Sequence, residues 1–381
     1  MRLDRSLRIL LMAGTCWAGA ALAAPPLGLP PVPVPEGNPI TPEKVKLGER
    51  LFHEKRFSAD GSVSCATCHK PELAFTDGLP VAEGIRKQKG TRNTPTVVNA
   101  AFYTSQFWDG RRPSLEEQAK DPFVNPIEHG LESHGPILEV VRTDPQYRAQ
   151  FRRVFGVTPD EITIDHVVQA IAAFERTVIS GDSPFDRYLY GGDKTALSES
   201  AIRGLKVFRT KGRCVDCHKI EQTSATFTDN DFHNLGVGFK RIAPRLHEIV
   251  ARFREARARG ADLDESVLTE AEVSELGRFA VTGRISDLGR FKTPTLRNVA
   301  VTAPYMHDGS LKTLEEVVEF YDKGGEANDF LDGGIRPLKL TEQEKRDLVE
   351  FLRSLTSPRF ARAARAQGAS GADAVRTAQA R

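Results

Sequence analysis

Residues 62–78 read SVSCATCHKPELAFTDG, and residues 212–230 read GRCVDCHKIEQTSATFTDN. Each stretch holds Cys-x-x-Cys-His and reaches Phe-Thr-Asp a few residues later. Cys-x-x-Cys-His is the attachment signal for c-type haem. The thiols of Cys65 and Cys68, and of Cys214 and Cys217, are spaced to add to haem vinyl groups. His69 and His218 then reach the iron from the proximal side. Both thioethers and the imidazole must meet one rigid macrocycle, so the spacing is restrictive. A redox dithiol would not require the histidine, and zinc would want four converging ligands. Disulfides suit an exported protein, yet a chain this long buries enough core to do without them. Two covalently bound haem c groups are therefore expected.

Working outward, the chain repeats itself. TPTVVNAAFYTSQFWDGRRPSLEE (94–117) aligns without a gap on TPTLRNVAVTAPYMHDGSLKTLEE (293–316), at a constant offset of 199 residues. That period is far too long for a solenoid. It suggests two related domains that meet near residue 180. Thr41-Pro42 opens a helix running to about His53, with an N-cap followed by proline at the first helical position. Helical periodicity covers about 136–155, 163–180 and 198–210. Thr313 with Glu316, and Thr341 with Glu344, have capping-box spacing ahead of two further helices. No run alternates long enough for a substantial sheet. The expected fold class is mainly α.

The ends read differently from the body. Arg2, Arg5 and Arg8 precede a short apolar run that closes on Ala21-Leu22-Ala23, the pattern of a secretory signal peptide over residues 1–23. Residues 24–39 hold seven prolines and read as an extended linker without a core. Residues 40–180 and 181–357 are the two expected haem domains, and 358–381 reads as a disordered tail. The chain is 381 residues long with a formal charge of +2. The leader contributes +2 and the tail +4, so residues 24–357 carry −4. A mildly acidic body argues against a nucleic-acid partner. No segment after the leader is long and apolar enough for a membrane span, and periplasmic export is expected. Residues 240–278 read as a charged helical insert, mostly solvated, and RKQKGTR (86–92) as a basic loop.

Between about Lys46 and Leu355 the chain resembles the bacterial di-haem cytochrome c peroxidase family. The likeness rests on SCATCH, RNTPTVVNA, QFWDGR, EEQAKDPFVNPIEHG, SPFDRYL, CVDCH, TPTLRNVAVTAPYMHDG and LVEFLRSL. It implies two cytochrome c-like haem domains in a pseudo-twofold arrangement, with the peroxidatic haem in the N-terminal one. Ordinary members place a ligating histidine ahead of the Arg-Asn-x-Pro-Thr motif; here that place is Ile85. The first iron should then stay open, unless His129 or His134 compensates. Ordinary members ligate the second iron with methionine; the matching residue is Tyr321, again resembling the MauG (methylamine-utilisation) branch. Without the resemblance, Tyr321 on a face with Leu314, Val317 and Val318 would be a packed core tyrosine. Met306 is the remaining methionine once the leader is gone, and is taken as packing.

The resemblance also implies roles by position. Glu128 matches the distal acid, Gln118 its companion and Pro122 the pocket wall. Trp108 matches the tryptophan between the haems, with His307 at its offset in the second repeat. Asn93, Thr302 and Pro304 match a calcium site. Gly212 stands where the MauG branch has a surface tryptophan that passes oxidation to a docked protein; Tyr103, Tyr188 and Tyr190 are weaker alternatives for such a relay. The implied function is a periplasmic oxidoreductase. It would react with hydrogen peroxide at an open haem and share oxidising equivalents with a Tyr-ligated second haem to oxidise a partner protein. The alternatives are a detoxifying peroxidase fed by a small cytochrome c or a cupredoxin, and a plain electron-transfer cytochrome.

Overall fold

A computed structural model describes residues 24–361. The signal-peptide reading of 1–23 and the tail beyond 361 lie outside the described residues. Among the described residues helices dominate, and the one regular sheet is a two-residue antiparallel pair, Phe232–His233 with Phe291–Lys292.

Each half is built on a crossed pair of helices. In the N-terminal half, Pro42–Phe52 crosses Ile164–Glu175; in the C-terminal half, Glu199–Arg209 crosses Glu342–Arg353. Both crossings depend on a glycine. A Cβ on Gly48 would stand 1.8 Å from the Ala170 carbonyl oxygen, and one on Gly204 would stand 1.9 Å from that of Asp347. Only a bare Cα lets the backbones approach so closely. Around the first pair, Leu47, Leu51, Phe52, Phe151 and Ile171 pack with Phe75; around the second, Leu205, Phe208 and Phe351 pack with Phe227. Thr41, Thr313 and Thr341 cap their helices as the spacing predicts.

The internal repeat is a repeat of backbone shape. Asn99 and Asn298 both adopt positive φ, +66° and +61°, a region asparagine tolerates well. Asn99 exchanges two hydrogen bonds with Ser180, through its Nδ2 to the carbonyl (3.0 Å) and from the Ser180 N–H (2.9 Å). Asn298 Oδ1 accepts from the Ser357 N–H at 2.9 Å. The two serine hydroxyls meet each other where the halves join.

Several expectations need correction. The periodicity over 136–155 is two helices, Gly135–Thr143 and Pro145–Phe155, because extended Asp144 caps the second and Pro145 opens it. The helix expected over 163–180 ends at Glu175. The proline-rich segment 24–39 is a packed strap. Gly28 O accepts from Arg297 Nη2 (2.6 Å) and from the Ala225 N–H (2.9 Å) in the C-terminal half. Ten residues on, Asn38 Nδ2 donates to Glu116 Oε1 (2.7 Å) and to the Gln169 carbonyl (2.9 Å) in the N-terminal half. The ordered chain also runs past 358: Pro358–Phe360 form a 3-10 turn, and Phe360 is buried in the N-terminal core.

The largest correction concerns 240–278: it is helical and largely exposed over 240–262 as expected, but it is also anchored through a buried face. Its Ile242, Ile249, Phe253 and Val267 form a core together with the flanking Phe239 and Phe279. Its inner edge grips the N-terminal half. Thr91 Oγ1 donates to the Val267 carbonyl (2.7 Å), and Arg92 donates to Ser274 Oγ (3.0 Å) and O (2.9 Å).

Candidate haem centres

The two Cys-x-x-Cys-His segments are built alike. Cys65–Cys68 is one helical turn capped by Ser64 and Thr67, and Cys214–Asp216 is one 3-10 turn entered through Arg213 at φ +50°. All four thiols are free, which removes the disulfide alternative. His69 Nδ1 lies 3.1 Å from the Phe75 carbonyl oxygen, and His218 Nδ1 lies 2.9 Å from that of Phe227. A carbonyl only accepts, so Nδ1 carries the proton and Nε2 keeps its lone pair. That is how proteins orient a metal-binding imidazole. Burial pushes both histidines below their ordinary pKa, favouring the neutral ring that a metal needs. Phe75 and Phe227 both sit at positive φ, +58° and +54°, which turns their carbonyls toward the rings.

Above the second segment opens a cavity of about 270 Å³, lined by Cys214, Cys217, His218, Leu348 and Leu352. Tyr321, on the helix Leu314–Asp322, lines it too. Burial raises the Tyr321 phenol, and after burial the thiols of Cys214 and Cys217 act on it most strongly. Among the described residues its hydroxyl has no hydrogen-bond partner. Met306 and His307 also reach the cavity wall. Two thiols, a neutral Nε2 and a free phenol around one apolar void fit a c-type haem. His233 is pinned between Asp229 (3.0 Å) and Asp332 (2.8 Å) on the same wall. Its hydrogen bond to Asp229, then its contact with Cys217, raises it to about 11, so it is an imidazolium at neutral pH.

The first segment faces acids instead. Glu175 and Glu128 both act on the Cys65 thiol. Each has an Oε2 closed off from solvent with no partner. Burial raises Glu175 to about 8. Glu128 rises to about 8 as well: burial is the main cause, Asp264 and Asp121 add to it, and Arg111 opposes. Ile85 is buried, and its N–H donates to the Glu128 carbonyl at 2.9 Å. Gly84 lets the two loop segments touch, since a Cβ there would meet the Ile127 carbonyl oxygen at 2.0 Å. His129 Nδ1 is tied to the Phe57 carbonyl (2.8 Å), and burial lowers that ring to about 4; His134 Nε2 is tied to the Lys120 carbonyl (2.9 Å). The Pro122 carbonyl accepts from the His129 N–H at 3.1 Å, so Pro122 adjoins the Glu128 loop. Gln118 ends the helix Leu115–Gln118, half-buried, and makes no side-chain hydrogen bond to Glu128.

Between the halves, Trp108 Nε1 donates to the Asn93 carbonyl at 2.9 Å, and the Asn93 N–H donates to the His307 carbonyl at 2.8 Å. The two positions paired by the repeat thus meet through Asn93. Asn93, Thr302 and Pro304 share the cavity wall. Asn93 Nδ2 donates to the Leu79 carbonyl (2.8 Å), which leaves Oδ1 unused, and the Thr302 and Pro304 carbonyls accept no hydrogen bond among the described residues. Three such oxygens are the donor type calcium prefers. Sequence reasoning missed Lys292, Asp264, Glu175 and His233. Lys292 is buried on the cavity wall, 3.6 Å from the Tyr103 ring centroid, with burial lowering it to about 7. Lone charged residues between motifs carry no spacing signal, so only the fold reveals them.

A helical protein with two such centres, one lined by acids and one by a phenol, has the residues that a di-haem oxidoreductase needs. The comparisons with known proteins place it further. Residues 42–195 match the family model described as di-haem cytochrome c peroxidase. The chain is 40% identical to "Cytochrome-c peroxidase IdrP1" of Denitromonas iodatirespirans, over 92% of this chain and 93% of that protein. It is also 40% identical to "Methylamine utilization protein MauG" of Methylorubrum extorquens, over 85% of this chain and 81% of that one. A solved MauG-like protein associated with microbial copper homeostasis superposes with a TM-score of 0.71, at 34% identity, covering 88% of this chain and 97% of the other. The chain belongs to the di-haem cytochrome c peroxidase family, an enzyme family with two haem groups. Hydrogen peroxide and a redox partner are the reactants that family implies. Among the described residues no helix is long and apolar enough to cross a membrane.

Proposed function

We propose that this protein is a MauG-like di-haem peroxidase, exported to the periplasm, that reacts with hydrogen peroxide in its N-terminal half and holds oxidising equivalents in its C-terminal half. The observation that carries the reading is the pairing of Ile85 with Tyr321. An aliphatic side chain fills the place of the first haem's closing ligand. A free phenol shares the second cavity with His218. Cys65 and Cys68, with His69, would hold one haem; Cys214 and Cys217, with His218 and Tyr321, would hold the other. When bound, the haem held by Cys65, Cys68 and His69 would supply the site for peroxide, and the haem held by Cys214, Cys217 and His218 would supply a store for charge, which the Tyr321 phenolate would support because a hard anion favours the oxidised metal.

The remaining steps belong to the protein. Peroxide reduction consumes two protons and two electrons and yields two waters. Glu128 Oε2, unpaired and in a carboxyl raised to about 8, can take the proton from one peroxide oxygen and return it to the departing one, because its pKa lies near working pH. Pro122 and Gln118 bound the pocket. Trp108 offers an aromatic step between the halves, held by Asn93. Asn93, Thr302 and Pro304 would hold one calcium ion. The signal-peptide pattern of residues 1–23 supports export, where haem is attached to such motifs. The electron donor would be a small cytochrome c, a cupredoxin or an oxidised protein substrate; Gly212 cannot act as the surface relay.

Ferric holoenzyme should show one high-spin and one low-spin signal in electron paramagnetic resonance, the low-spin signal changing in Tyr321→Met. Two low-spin signals without a high-spin one would sink the reading. The 40% identity to a named cytochrome-c peroxidase favours one competitor, a detoxifying peroxidase. Steady peroxide turnover with reduced cytochrome c would select it.

A further inference from the structure

The insert reaches the distal pocket through one side chain. Asp264, on the helix Leu263–Thr269, is buried inside the N-terminal half. Its Oδ1 accepts from Arg111 Nε at 2.8 Å and also from Nη2, and its Oδ2 accepts from Asn125 Nδ2 at 2.7 Å. Arg111 is buried as well. It lies flat on Phe107, 3.4 Å from the ring centroid, and its Nη1 contacts both oxygens of Asp109 at 3.2 Å. Asp109 also accepts from Arg92 Nη1 at 2.9 Å, and Arg92 is the residue gripped by Ser274 of the insert. Asn125 in turn holds the Glu128 loop: its Oδ1 accepts from the Ile127 N–H (3.1 Å), and its carbonyl accepts from the Glu128 N–H (3.2 Å).

We propose that Asp264 is a positioning residue of the peroxide pocket: it fixes Arg111 and Asn125 around Glu128 and so makes the insert a working part of the N-terminal centre. This rests on the reading of Glu128 given above. An isolated buried ion pair is weak evidence of stabilisation. Here Asp264 spends its hydrogen bonds on Arg111, whose charge acts on Glu128, and on Asn125, which holds the Glu128 loop, and it comes from a segment with a separate core. The charged and titratable groups that face Glu128 are Asp264, Arg111 and Asp121, with the thiols of Cys65 and Cys68 on the haem side. Asp264 favours the protonated acid and Arg111 the ionised one. Removing the Asp264 charge while keeping its shape therefore lowers the pH at which Glu128 ionises.

The test uses haem-loaded protein. Difference infrared spectroscopy follows the carboxylic-acid band that disappears in Glu128→Gln, and stopped-flow spectroscopy follows the peroxide rate against pH. In Asp264→Asn the infrared midpoint should fall by about one pH unit, with the acid limb of the rate profile following it; Asp264→Glu should restore both. An unmoved or raised midpoint in Asp264→Asn, or Asp264→Glu behaving like Asn, overturns the proposal. If Asp264→Asn does not accumulate, Arg111→Lys decides: loss of the fork leaves Asp264 less neutralised, so the midpoint should rise, and an unmoved midpoint overturns the proposal. The infrared midpoint reads the Glu128 carboxyl, and so the field that Asp264 and Arg111 set on it, whatever the peroxide rate. An unchanged peroxide rate in Glu128→Gln would instead reject the role given to Glu128, so the two failures are told apart.

Discussion

The two haem-binding halves share a frame and differ in what they aim at its centre. Both cross two helices over a glycine, both lock the proximal histidine onto a phenylalanine carbonyl, and both turn on an asparagine at positive φ. Where the helix Ile164–Glu175 ends on Glu175, the matching turn of Glu342–Arg353 carries Leu352, a residue of the second cavity wall. The first half collects Glu128, Glu175 and the intruding Asp264. The second collects Tyr321 and the His233 imidazolium. Groups that trade protons surround one centre, while fixed charge and a phenol surround the other. The lesson is that a duplicated scaffold divides labour by changing a few side chains and leaving the helix crossing alone.

Glu128→Gln should break the comparison most sharply. Haem content should persist while peroxide reaction slows by roughly 10²–10⁴-fold, the usual worth of a positioned acid–base group; stopped-flow mixing with peroxide checks it. The shared frame is tested next. Gly48→Val and Gly204→Val should each cost about 3 kcal/mol or more, because the side chain collides with a helix carbonyl that cannot move. Denaturant titration should show similar losses in the two variants; a large loss in one alone would mean that the crossings are not equivalent. Tyr321→Met should raise the potential of one haem, by on the order of 0.1 V or more, as a thioether replaces a phenolate; spectroelectrochemistry should find the other haem nearly unchanged.

The smallest effect concerns Glu175. Its folded pKa of about 8 lies above the unfolded value of 4.5, so the folded state binds the extra proton. Stability is then highest below the unfolded value and declines as pH climbs toward the folded one. Glu175→Gln should flatten that decline by about 1–2 kcal/mol, the scale of one unpaired buried polar group. Thermal unfolding at pH 5 and pH 8 reads the difference, which should shrink in the variant without vanishing, since Glu128 is raised to about 8 as well.

Much of this was legible in the chain alone. The haem-attachment motifs, the repeat at 199 residues, the helix caps at Thr41, Thr313 and Thr341 and the family were all readable, because each is a local pattern with strict spacing. The expectations for Ile85 and Tyr321 came only through the family resemblance, since neither residue type announces ligation or its loss. The proline-rich strap and the insert were misread. Their composition is that of solvated segments, and what buries them lies far away in sequence: Asp186 and Arg297 against Gly28, and Arg111 and Asn125 against Asp264.

By itself, then, the sequence determined where the two Cys-x-x-Cys-His segments stand, where several helices begin and that the chain has two related halves, because motif spacing and capping act over a handful of neighbouring residues. Tertiary structure alone decided that Glu175 stands beside the first Cys-x-x-Cys-His segment and that Asp264 of the insert reaches Arg111 and Asn125. Those outcomes depend on burial and on charges brought together across more than a hundred residues of chain. Such distances are invisible until the helices have packed.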